Sequence, residues 1–154
     1  MRGPPRSVAE PHREEPPHAH QCLPIFPGTC REAFTFYADV LGGELRMMTF
    51  GETPAAAHVP TDCHGHIIHA CLTRDGQSLM ASDSLPEQPH AGIRGCSVSL
   101  NVDSIAEAER VFSGLSAGGT VQMPLEPTFW AVRFGMFEDR FGVPWMVNCE
   151  KDGA

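Results

Sequence analysis

The sequence predicts an α+β fold built from two βαβββ modules. Three observations predict it. The order of strand, helix and three further strands can be traced twice along the chain. The two helix starts correspond, since Ser104, Glu107 and Ala108 follow Thr29, Glu32 and Ala33 at a constant interval of 75 residues. A short apolar hairpin closes each repeat, the first turning at Asp75-Gly76 and the second after "EDRFG". A repeated supersecondary unit of this length is the mark of an internal duplication.

Residues 1–20 hold five of the fourteen prolines and almost nothing apolar, so the segment is expected to be a disordered tail. Its histidines, His12, His18 and His20, offer at most weak metal binding. The first module is placed at residues 21–83. "CLPIF" is its first strand, an apolar run too short for a helix. Thr29 and Glu32 are spaced as a capping box for the helix that follows, with Ala33, Phe36, Tyr37, Val40 and Leu41 on one face and Gly42-Gly43 ending it. "ELRMMTF" is a strand, residues 51–65 a loop, and "HIIHACLTRDGQSLMASD" a hairpin. A linker is expected over 84–94.

The second module is placed at residues 95–150, leaving 151–154 as a short tail. "CSVSLNVD" alternates as a half-buried strand does. Ser104 and Glu107 form the second capping box, and Ala108, Val111, Phe112 and Leu115 the second helix face. "TVQMPLEPTFW" is extended, but Pro124 and Pro127 restrict it to an edge or a bulge. "VRFGMFEDRFG" and "VPWMVNCE" complete the second hairpin.

Composition narrows the function. The 154 residues are 42% apolar, enough for a real core, and carry a net charge of −8. That balance argues against nucleic acid, whose phosphates need a basic surface. No apolar run is long enough for a membrane span, and the start lacks the apolar stretch of a secretory signal, so a cytoplasmic location is expected. The six cysteines contain no CxxC pair; they are expected as buried apolar thiols rather than a disulfide framework.

The stretches "EAFTFYADVLGGEL", "HACLTRDGQSLMASD", "SVSLNVDSIAEAERVFSGLSAGGTVQMPLEPTFW" and "FGMFEDRFGVPWMVNCE" make residues 22–150 resemble the vicinal oxygen chelate superfamily of glyoxalases, bleomycin-resistance proteins and extradiol dioxygenases, in its PhnB-type branch. The resemblance implies cupped mixed sheets with helices outside, a pocket in each cup, and a homodimer. In metal-dependent relatives each module supplies one ligand from its first strand, usually His, and one from its last, usually Glu. Those four positions fall here on Cys22, Met80, Ser97 and Met146. Two thioethers, a thiol and a hydroxyl suit a hard divalent ion poorly; Cys22 with Met80 and Met146 would in principle suit Cu(I), and apolar packing in a lost metal site is the plainer reading. No cofactor is therefore expected, and a divalent metal is disfavoured.

Other side chains offer chemistry. In "HGHIIHA", His64 and His66 would share a strand face and His69 would take the other. His69 is the candidate general base if it lines the pocket, imidazole being the usual choice near neutral pH, and a satisfied core residue if it does not. Asp83 or Asp139 could orient it; each also fits a structural role, Asp139 as a turn former. The cluster Phe129, Trp130, Phe134, Met136 and Phe137 is either core or an aromatic lid over an apolar ligand. Met80, Asp83, Ser97, Phe129, Trp130 and Met146 are the expected ligand contacts. No glycine-rich phosphate loop or methyl-donor site is present. Two functions follow from the resemblance: an uncharacterised lyase or isomerase binding a small apolar metabolite without the usual metal site, or a non-catalytic protein that sequesters its ligand.

Overall fold

The computed structural model describes residues 21–151. The expected tails at 1–20 and 152–154, with His12, His18 and His20, lie outside the described residues.

The chain runs β1 (Ile25–Phe26), α1 (Cys30–Leu41), β2 (Glu44–Thr49), β3 (Ile67–Arg74), β4 (Gln77–Asp83), β5 (Val98–Asn101), α2 (Ile105–Ser116), β6 (Thr120–Glu126), β7 (Ala131–Glu138) and β8 (Pro144–Glu150). It forms two four-stranded sheets, ordered β1-β4-β3-β2 and β5-β8-β7-β6. In each, the first strand pairs parallel to the last and the rest are antiparallel. This is the duplicated α+β architecture that the element order predicts.

The turns follow their residues. Asp75 and Gly76 both have positive φ, +50° and +75°, as a two-residue hairpin matched to strand twist requires. Residues 51–65 contain short 3-10 turns, one of them held by Glu52, whose carboxylate accepts from the Thr49 N–H and hydroxyl at 2.7 Å. Pro124 sits where the β6–β7 register slips, on an edge strand that needs no proline N–H.

The first capping box is not formed. Thr29 makes no side-chain cap; instead Asp83 Oδ1, at the end of β4, accepts from the Cys30 N–H at 2.9 Å. In α2 only half a box exists: Ser104 Oγ accepts from Glu107 N–H at 3.2 Å, while the Glu107 carboxylate turns to Arg110. The α1 face also differs from expectation. Cys30 and Phe34 are buried with Ala33, Tyr37 and Leu41, and Phe36 and Val40 are only partly covered. The predicted α2 face holds, with Ala108, Val111 and Leu115 buried and Phe112 packed on Phe137.

A single apolar core runs through both modules. Tyr37 on α1 packs edge-on against Trp145 on β8, with ring centroids 5.2 Å apart. Its hydroxyl donates to Asp139 Oδ2 at 2.5 Å, and Trp145 Nε1 donates to the same oxygen at 2.9 Å. Asp139 Oδ1 accepts from the N–H groups of Phe141 and Val143, so the expected turn former is also the polar centre of the module junction.

Candidate functional site

Each sheet has one face against the core and one face free of helix. Strand alternation decides which side chains stand on the free face. Along β8, Trp145, Val147 and Cys149 are buried, so Met146 and Asn148 point outward. Pairing then aligns Ser99, Met146, Met136 and Met123 in one row across four strands. The next row holds Asn101, Asn148, Phe134 and Glu126, with Asn148 Nδ2 donating to Asn101 Oδ1 at 3.1 Å. At the end of the β6–β7 loop, Trp130 packs on Phe134 at 5.3 Å and Phe129 on Trp130 at 4.6 Å. Met123 and Trp130 are each 41% exposed and Phe129 is 89% exposed. The aromatic cluster thus divides: Phe137 is core, stacked on Trp145, while Phe129, Trp130, Phe134 and Met136 flank the free face.

The free face of the first sheet carries Met80 opposite Cys71, Cys71 opposite Arg46, and His69 opposite Met48. A bulge sets this arrangement. The β2–β3 register skips from Met48–His69 to Thr49–Ile67, leaving Ile68 unpaired and letting Ile67 and Ala70 both face the core. His69 is therefore exposed. His64 and His66 do not share a strand face, because both precede β3; His64 Nε2 contacts the Ala56 carbonyl at 3.0 Å.

Asp83 is 5% exposed and faces the core, its second oxygen accepting from Ile67 N–H at 2.8 Å. Both candidate carboxylates, Asp83 and Asp139, are engaged with scaffold donors and neither turns to His69. Among buried groups, Cys30 has its thiol pushed up to about 12, first by burial and then by the Asp83 carboxylate. Tyr37 is raised well above the ordinary phenol range, by burial first and by Asp139 second. Both belong to the scaffold.

The four residues expected to correspond to the relatives' metal ligands separate. Cys22 and Ser97 lie just ahead of β1 and β5 rather than within them. A cleft of about 80 Å³ opens between these segments, lined by Cys22, Leu23, Pro24, Ile93, Cys96, Ser97, Val98, Val143 and Pro144. A shallow recess of about 410 Å³ adjoins it, bordered by Gly95, Cys96, Ser97, Pro144 and Met146. Met80 lines neither. Among the described residues no three His, Cys, Asp or Glu side chains gather as a metal site. A hard divalent ion that must polarise an oxygen has neither carboxylate nor imidazole to hold it at these positions, so the donor set does not fit the family's usual metal. Cys96, which sequence reasoning missed, sits beside both recesses; only its place next to Ser97 marked it.

Comparison with known proteins agrees with this fold. The family model for the glyoxalase/bleomycin resistance protein/dioxygenase superfamily matches residues 17–147. The chain is 36% identical over 135 residues to Protein YjdN of Escherichia coli (strain K12), spanning 82% of this chain and 91% of that one. It is similar to the crystal structure of protein PA1353 from Pseudomonas aeruginosa, at 57% identity and a TM-score of 0.78, covering 87% of this chain and all of that one. It is also similar to a PhnB protein from Bacillus cereus named for a 3-demethylubiquinone-9 3-methyltransferase role, at 25% identity and a TM-score of 0.65, covering 81% and 94%.

Proposed function

Because this chain belongs to the glyoxalase/bleomycin resistance protein/dioxygenase superfamily, we propose that it is a small-molecule binding protein whose ligand lies on the free face of the second sheet. One observation carries the reading. Met146, Met136 and Met123 stand in register as a soft, polarisable floor, and Trp130 with Phe134 walls its edge. Thioethers conform to irregular apolar shapes and favour aromatic rings, so a flat, largely apolar compound suits this floor. Where a catalytic relative has a carboxylate, Met146 provides packing. Sequestration therefore fits the side chains better than turnover, and nothing among them supports methyl transfer.

A lyase or isomerase with His69 as general base is the second reading, supported by the exposure of that imidazole on the first sheet. Neither buried carboxylate is free to orient it. Titration with a panel of polycyclic aromatic compounds, followed through the exposed Trp130, separates the two. Binding should weaken about tenfold or more in Met146→Glu, which places a charge on the floor, and stay unchanged in His69→Ala. Loss of product formation in His69→Ala, with binding intact, would replace sequestration by catalysis. Failure of every compound to perturb Trp130 would remove the binding reading itself.

A further inference from the structure

We infer that the junction ahead of β1 and β5 is a site for a soft monovalent metal ion such as Cu(I) or Ag(I), held by Cys22, Cys96 and Met146. Three observations lead there. Cys22 and Cys96 lie on different modules yet line the same small cleft. The recess that adjoins this cleft shares Cys96, Ser97 and Pro144 with it and adds Met146. Both cysteines are free thiols on the surface, whereas Cys30, Cys63 and Cys149 are buried.

The rest of the cleft lining is Leu23, Pro24, Ile93, Val98, Val143 and Pro144, with the Ser97 hydroxyl as the one polar side chain. Thiolate and thioether donors are soft and select soft d¹⁰ cations, while a site short of carboxylates and imidazoles gives hard or borderline divalent ions little. Two thiolates and one thioether supply two or three ligands, the low coordination numbers that Cu(I) and Ag(I) accept. Binding replaces the two thiol protons, which leave to solvent, and forms two metal–thiolate bonds without any change of oxidation state. The site differs from the superfamily's usual one in ligands as well as ion. Met80 is not part of it, and Cys96, which is none of the four corresponding positions, is.

Anaerobic titration of the full chain with Cu(I) buffered by bicinchoninate, and separately with Ag(I), tests the assignment. The expected result is one ion per chain in a sulfur-only shell by X-ray absorption. Cys22→Ser and Cys96→Ser should each lower affinity by about a hundredfold, and Met146→Leu by about tenfold. Cys71→Ser, at a thiol on the first sheet's free face, should leave it unchanged. Cys22→Ser leaves the methionine floor untouched, so polycyclic binding at Trp130 should survive in it; loss of that binding concerns the preceding proposal and leaves the metal result standing. Affinity indifferent to Cys22→Ser and Cys96→Ser, or an ion count that follows exposed thiols one by one, would overturn the site.

Discussion

Asp139 receives four hydrogen bonds while 3% exposed, two at each carboxylate oxygen. A buried carboxylate survives only with such partners. Removing one of them isolates its worth. Tyr37→Phe should destabilise the fold by about 1.5–3 kcal/mol, the range for a hydrogen bond to a charged group, as measured by urea denaturation. Cys30 gives a pH signature. Its folded thiol pKa of about 12 exceeds the ordinary 9.0, so its contribution is complete below pH 9 and declines as the unfolded chain's thiol ionises. Stability should therefore fall between pH 9 and 12 by up to about 1.4 kcal/mol per pH unit from this group. Denaturation of Cys30→Ala over the same range should show a correspondingly shallower slope. At this scale the sequence placed Met146 on its strand, because the turn and the alternation around it are local facts. It did not expose Asp83 as the cap of α1, since that bond joins residues 53 apart.

At the scale of elements, α1 ends without a basic residue of its own. Its last carbonyls are covered from elsewhere: Arg110 on α2 donates to the Val40 carbonyl at 2.6 Å, and Arg74 on β3 donates to that of Leu41. Glu107 pairs with both guanidiniums and is held below the usual carboxylate range, chiefly by its hydrogen bond to Arg110. The two helices approach closely at Gly114, where an added Cβ would lie 2.8 Å from Val40 Cγ1. Gly114→Ala should therefore lower the thermal midpoint, costing about 1–3 kcal/mol through overpacking. Helices, hairpins and the edge position of β6 were legible because helical periodicity, turn residues and prolines act over a few positions. The bulge at Ile68 was not. Nothing local distinguishes "HIIHA" with a skipped residue from a regular strand, and that skip decides which way His69 faces.

For the whole molecule, both free faces carry apolar side chains. Met48, Ile25, Met123, Phe129 and Trp130 are between 38% and 89% exposed. A homodimer that covers these faces is the expected assembly, and light scattering should return twice the 16.7 kDa chain mass. A species of the chain mass alone would refute it. The duplicated architecture was legible because two like patterns reinforce each other; a chain of this length also suits two small modules sharing a core, but the particular contacts that join them are encoded by no repeat.

The bond from Tyr37 to Asp139 spans 102 residues. It makes the two repeats unequal partners in one event. Neither half retains a complete interior when the other is absent: the first would present a bare phenol, the second a buried carboxylate short of one of its four donors. The chain should therefore melt in one cooperative step. A cut between the repeats would yield two fragments that recover their structure only on recombination, because the tie that broke the ancestral symmetry also ended each half's independence.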